Sequence, residues 1–266
     1  MIYTSTSCLK NPQNILRVLD EYEKAEIENV ELGSVHSYFQ TNKLKKYNFN
    51  FIIHGYFPPP KASFNFNLAS QKKTIREKSM KLVKNAINVC ANIDAPIFTF
   101  HAGFTVDPTK LGVKFSRNGM VDRNTAIETF IKSSHKILDY AKSRGIKLGM
   151  ELNVVQKFNL DNGENKLLLF ADYDETKMFL KEFNKSQIGL LLDLGHTSVT
   201  SHWLKFDKNK FVKKIKKSVV VVHASNNNGL KDQHKQLTKN CWQTSKLKDF
   251  KNIPITLETM NLTIEQ

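Results

Sequence analysis

Five of the eight histidines stand at or just beyond the end of a short apolar run, and four carboxylates stand at matching places. The runs read FIIH (His54), IFTFH (His101), KLGME (Glu151), IGLLLDLGH (Asp193 and His196), VVVVH (His223) and PITLE (Glu258), with Asp232 and His234 in the loop KDQH. The last residue of a strand is rigidly aimed, so repeated use of that position points to side chains converging on one place. Imidazole and carboxylate together, with no cysteine among them, form a ligand set for zinc, manganese, iron or cobalt. Glu151, Asp193, His223 and Glu258 can surround one divalent ion, with Glu151 bridging to a second held by His54 and His101. His196, Asp232 and His234 can hold a third. Outside this pattern, His36 follows ELGS and could reach the same place, His135 lies in a helix-like stretch, and His202 falls in the loop after the sixth apolar run.

Such aim requires a scaffold of strands that all end on one side. Eight strand-like segments are legible: Ile2–Ser5, Val30–Leu32, Phe49–His54, Ile97–His101, Ile146–Glu151, Ile188–Asp193, Val219–His223 and Ile255–Glu258. Amphipathic stretches near 11–26, 70–93, 122–144, 173–184 and 207–217 separate them. Asn11-Pro12 predicts one helix start, Asp122 another, and Arg144-Gly145 a helix stop. Alternating strands and helices predict a parallel sheet, and eight repeats predict an α/β fold of the (β/α)8 TIM-barrel type, residues 1–266 forming a single domain. Active sites of such barrels lie at the C-terminal strand ends, where the candidate ligands stand. The alternative, an open doubly wound sheet, needs a glycine-rich phosphate loop that this chain lacks. Six residues after Met260 are too few for a full eighth helix, so the barrel is expected to be closed by another chain or to be truncated there. FPPP (57–60) predicts a stiff loop that either shapes the pocket near His54 or serves as a rigid linker. Gly33, Gly55 and Gly103 are expected in tight turns.

Composition narrows the classes. Apolar content of 40% supports a packed core and excludes a disordered chain. No secretory leader and no apolar run near the ~20 residues of a membrane span is visible, and three unpaired-looking cysteines fit a reducing compartment, so a cytoplasmic protein is expected. The net charge of +15 admits a polyanionic partner. Its source is scattered lysine with only five arginines, a bias that an AT-rich genome also produces, so nucleic acid stands second to a small molecule.

The strand-end set, strongest from FTFHAG to ITLET, resembles the xylose-isomerase-like TIM-barrel superfamily, which holds sugar isomerases and epimerases together with endonuclease IV (AP endonuclease family 2). The resemblance covers nearly the whole chain. All nine ligands of the trinuclear-zinc endonuclease IV pattern have matches: His54, His101, Glu151, Asp193, His196, His223, Asp232, His234 and Glu258. It implies that Glu151 bridges two ions and that His196, Asp232 and His234 hold the third. Zinc, up to three ions, is thereby implied, with manganese or cobalt as alternatives. Two segments depart from the nuclease form: VELG at the second strand, and HASNNNGLKDQH, both closer to the isomerase and epimerase relatives.

The leading expectation is therefore a metal-dependent isomerase or epimerase acting on a sugar or sugar phosphate, with Glu151 and Glu258 moving the proton. The alternative is an abasic-site endonuclease that hydrolyses a phosphodiester. A third reading, a metal-binding barrel without catalysis, leaves the complete ligand set without a use.

Overall fold

The computed structural model describes residues 1–109 and 113–266. The chain runs β1 (Ile2–Ser5), α1 (Ile15–Lys24), β2 (Asn29–Leu32), β3 (Asn50–His54), α2 (Lys73–Asn92), β4 (Ile97–His101), α3 (Arg123–Lys142) and β5 (Lys147–Glu151). It continues through α4 (Tyr173–Glu182), β6 (Ile188–Asp193), α5 (Leu194–Trp203), α6 (Lys208–Ile215), β7 (Val219–Ala224), α7 (Trp242–Leu247) and β8 (Ile255–Leu257). The eight parallel strands pair in sequence order and close into a barrel, β8 joining β1 through Ile2↔Ile255, Tyr3↔Thr256 and Thr4↔Leu257. The expected α/β barrel is the observed fold. Closure by another chain is not needed, because β1 and β8 of this chain pair directly.

Helices cover the outer face of the barrel, so its strands are buried on both sides and read as continuous apolar runs. Every residue of β6 and β7 is buried. The barrel interior is tight where β6 and β7 meet: a Cβ at Gly189 would lie 2.3 Å from Val220 Cγ1. The glycine leaves that space to the valine. Outside, α2 and α3 set apolar stripes against the strands and each other, Leu82, Val83, Ala86, Ile87 and Cys90 from one and Ile127, Phe130, Ile137, Leu138 and Ala141 from the other.

Several element boundaries differ from the sequence reading. Asn11-Pro12 does not start α1; Asn14 does, its side chain accepting from the N–H groups of Leu16 and Arg17, while Asn11 sits in the left-handed region at φ 53°. Asp122 caps α3 as expected, accepting from Thr125 N–H at 2.9 Å. The chain leaves α3 at Gly145, φ 68°. The segment after Asp193 is not a tight turn but α5, and His202 stands on that helix rather than in a loop. Between β2 and β3 only a 3-10 segment, Thr41–Lys46, stands where a helix would be. Among the described residues no helix follows β8. The tail instead returns to the β1 loop, where Leu262 N–H donates to Cys8 O and Leu262 O accepts from Lys10 N–H. No helix among the described residues is long and apolar enough to cross a membrane.

Candidate metal centre

The closed register brings the strand ends together. His101 and Glu151 are paired neighbours on β4 and β5, Asp193 and His223 on β6 and β7, and Glu258 follows β8 directly. At the centre stands Glu151, 1% exposed, with its two oxygens turned in different directions. Its Oε2 lies 2.7 Å from His101 Nδ1 and 3.3 Å from His54 Nε2, while Oε1 lies 3.0 Å from His196 Nδ1. A carboxylate arranged this way can bridge two cations.

Asp193 is both strand end and helix cap. Its Oδ1 accepts from His196 N–H at 2.8 Å, which fixes the first turn of α5 and carries the His196 ring over the mouth. The approach is close: a Cβ at Gly195 would come within 2.9 Å of Ser225 Oγ and 3.1 Å of Asp193 Oδ1. His196 Nε2 lies 3.2 Å from Asp232 Oδ2, and His234 Nε2 lies at the same distance from that oxygen. On the far side, His223 Nδ1 lies 3.2 Å from Glu258 Oε2. The structure thus brings all nine sequence candidates to one mouth. Three of the groups that could hold an ion are His54–Glu151–His223, Glu151–Asp193–His196 and His196–Asp232–His234.

Whether these residues suit a metal is tested by what their atoms lack. Glu151 Oε2, Asp193 Oδ2, His196 Nδ1, His223 Nδ1 and Asp232 Oδ1 are buried and have no well-aligned hydrogen bond, the close contacts among them lying off the bonding direction. Buried polar atoms without partners are costly and rare. Here they share one site, and nitrogen and oxygen donors of this kind suit a divalent cation. Several rings are held from behind. His234 Nδ1–H donates to Glu258 O at 3.1 Å, and His54 Nδ1 pairs with Thr99 Oγ1 at 2.9 Å, each leaving Nε2 toward the centre.

Electrostatics without a cation follow from burial and crowding. Burial opposes ionisation of Glu151, but the charges of His101 and His54 outweigh it and hold the carboxyl well below its usual range. Burial likewise opposes charging of His196 and His223, yet Asp193 and Asp232 raise the first well above the ordinary imidazole value, and Glu258 and Glu31 raise the second. Burial instead wins at His54, pushed down to about 3. Glu258 lies at about 2, where His223 outweighs burial.

Glu31, at the end of β2, is the site residue that the sequence reading did not single out. It is fully buried, and its Oε2 lies 2.9 Å from His223 Nε2 and accepts from Thr256 Oγ1 at 3.1 Å. The signal was the carboxylate of VELG, in strand-end position like the others. His36 does not reach the mouth. It is buried between Pro12 O and Thr6 Oγ1, tied to the β1 loop. His135 pairs with Glu182 on the outer helices. The prolines of FPPP line an outer groove with Phe39 and α2, and Tyr56, stacked 4.9 Å from the His101 ring, takes the pocket wall instead. Of the three expected tight-turn glycines, Gly55 has a left-handed φ of 68°, whereas Gly103 answers a close approach, a Cβ there lying 2.7 Å from Ala69 Cβ.

Above the cluster lies a cavity of about 240 Å³ walled by Tyr56, Phe104, Phe115 and Phe158, with Asn153 and Gln156 as polar groups. It can take one sugar-sized unit.

A family model described as the xylose isomerase-like TIM barrel matches residues 41–263. The chain belongs to that family. Among its relatives is apurinic-apyrimidinic endonuclease 1 of Plasmodium berghei, 27% identical over 242 residues, 84% of this chain and 42% of that protein. The chain spans about half the length of the first curated relatives it matches, 55% and 42%. A putative xylose isomerase from Rhodospirillum rubrum superposes with a TM-score of 0.71 at 12% identity, covering 100% of this chain and 92% of that one. An AP endonuclease of family 2 from Brucella melitensis gives 0.65 at 16% identity, covering 98% and 93%. Both structures share the fold. An epimerase-like protein is also among the structures that share the fold.

Proposed function

We propose that the chain is a divalent-metal-dependent phosphodiester hydrolase acting on the sugar–phosphate backbone of DNA at abasic sites. The carrying observation is the outer group His196–Asp232–His234, complete and joined to the inner group through the second oxygen of Glu151. Chemistry at one ion would need only Glu151, Asp193, His223 and Glu258, and would not call on the outer group as an ion site. Bound divalent ions would polarise a phosphoryl oxygen, activate the attacking water and neutralise the leaving oxygen. The chain's own residues would fix that geometry, Glu151 from the barrel floor and Asp232 and His234 from the β7 loop. Glu151 and Glu258 both lie below the usual carboxyl range before any ion binds, so they stand ionised as metal ligands must be. The small aromatic-walled cavity suits a sugar carrying no base, and a net charge of +15 favours a polyanion. The named activity of the Plasmodium relative points the same way.

The isomerase or epimerase reading is second. It is favoured by the VELG end of β2 and by a following loop, SVHSYFQTNKLKK, that offers Tyr38 and Phe39 but no arginine to a duplex. The two readings part in one experiment. Metal-loaded protein is incubated with a duplex carrying one abasic site and, separately, with a panel of ketoses and aldoses, using wild type and Asp232→Asn. Incision at the abasic site that Asp232→Asn abolishes is expected. Sugar isomerisation without incision, kept by Asp232→Asn, would overturn the proposal.

A further inference from the structure

His223, like His196, has a carboxylate at each ring nitrogen, but only at His223 does one of them, Glu31, stand outside the nine candidate ligands. Nδ1 faces Glu258 Oε2 at 3.2 Å and has no hydrogen bond, whereas Nε2 meets Glu31 Oε2 at 2.9 Å. An imidazole is planar and its two nitrogens point apart, so Glu31 and Glu258 lie on opposite sides of the ring. The unpartnered nitrogen, beside a second carboxylate, is the one presented to a cation. The satisfied nitrogen is the one held from behind.

We propose, resting on the reading of this mouth as a metal centre, that Glu31 is a positioning residue: its carboxylate accepts from His223 Nε2–H, fixes the tautomer and ring angle, and makes Nδ1 a stronger ligand. Other histidines of the mouth have only neutral partners behind them, Thr99 Oγ1 for His54 and the Glu258 carbonyl for His234. Behind His223 the partner is instead a carboxylate, and it stands in the barrel interior, where interactions are poorly screened. Thr256 Oγ1 donates to the same oxygen from β8 and holds it in line. The remaining oxygen, Oε1, is buried and without a hydrogen bond. Burying a carboxylate with one oxygen unsatisfied is unfavourable for folding alone. The ring of His223, 2.9 Å away, offsets part of that cost. Outer partners of metal-bound histidines typically affect affinity by about 10–100-fold.

The test measures metal rather than turnover. Wild type, Glu31→Gln and Glu31→Leu are stripped, then titrated with zinc against a competing chelator and with cobalt followed by its visible absorption. Melting is recorded with and without metal. The glutamine keeps an acceptor for Nε2–H and loses the charge; the leucine loses both. All equivalents of metal should remain in both variants. One of those ions should bind ~10-fold more weakly in Glu31→Gln and ~100-fold in Glu31→Leu, with altered cobalt bands. Melting of the metal-free variants should fall, because the charged His223 ring loses its buried carboxylate partner. Unchanged metal affinity with unchanged cobalt bands, whatever the melting point, would show a merely structural residue and overturn the proposal. Loss of a whole equivalent would make Glu31 a direct ligand and overturn it as well. A wild type that takes up no zinc or cobalt would overturn the metal-centre reading itself, a distinct failure.

Discussion

His36 and His223 belong to the same end of the same barrel, one just after β2 and the other in β7, and both are buried, yet they are opposite kinds of histidine. Around His36 every polar atom has a partner. Gly33 N–H donates to Thr6 Oγ1 at 2.9 Å, Thr6 Oγ1 meets His36 Nε2 at 2.8 Å, and the other ring nitrogen meets Pro12 O. No carboxylate belongs to that chain of contacts, and burial drives the ring to the neutral form, at about 4. Around His223 two carboxylates face the ring, Nδ1 lacks a hydrogen bond, and the ring is held charged. One arrangement is complete as it folds; the other leaves donor atoms open to a cation. Burial and residue type do not separate a structural histidine from a ligand, but the count of atoms left unpartnered does.

If that distinction is right, the largest effects come from the orphaned side. Glu151→Gln removes the bridging charge while keeping the shape. Metal-dependent turnover should fall by about 10³-fold or more, since the ions contribute several kcal/mol to the transition state. Metal analysis should show at least one equivalent lost, and the metal-free protein should melt no lower than wild type. Full activity with full loading would break the comparison.

Metal removal is next. The ionised carboxylates of the mouth repel one another once no cation lies between them, so binding should stabilise the fold. At a free ion concentration near 1,000 times Kd the gain is ~4 kcal/mol, a rise in Tm of ~10 °C for a chain of this size. Calorimetry with zinc and with chelator reads it. Amide exchange at Gly33, beside His36, should be the same in both, because that network has no open position.

The sequence carried most of this contrast, for a physical reason. Parallel strands buried on both faces read as unbroken apolar runs, so their ends are sharp and a His or Glu there stands out. VVVVH and PITLE needed no other clue. Glu31 escaped because β2 has only four residues, NVEL, and its carboxylate follows no long apolar run. α5 escaped because it is buried almost all round, from Leu194 to Ser201, and so has no amphipathic period to read. The partners of His36 are Thr6 and a proline carbonyl, 30 and 24 positions away, which no local pattern reveals. Asn14 outcompeted Asn11 as the cap of α1 because only its side chain reaches the free N–H groups of the first turn.

A moderate effect should separate the two histidines by pH. In the unfolded chain His36 titrates near 6.5 and in the fold at about 4, so between these values the unfolded chain binds more protons. Stability from His36 is therefore complete above pH 6.5 and lost as pH falls toward 4, by up to about 3 kcal/mol. Urea midpoints of metal-free wild type and His36→Asn should differ in slope across that window and run parallel above it. A variant that keeps the whole wild-type slope would remove His36 from the satisfied class.

The smallest effect is expected at His135, which supplies the baseline for both. Its Nε2 pairs with Glu182 across α3 and α4, and both side chains are 45% exposed. Water screens such a pair and side-chain entropy opposes it, so exposed ion pairs contribute ~0–1 kcal/mol. The ring also lies 4.6 Å from that of Phe183, a contact that an alanine would lose. His135→Ala should lower Tm by no more than about 2–4 °C, with metal content, metal affinity and turnover unchanged. A larger loss, or any change in metal binding, would mean that the outer helices couple to the mouth. The division between self-satisfied and cation-requiring histidines would then no longer follow local hydrogen bonding alone.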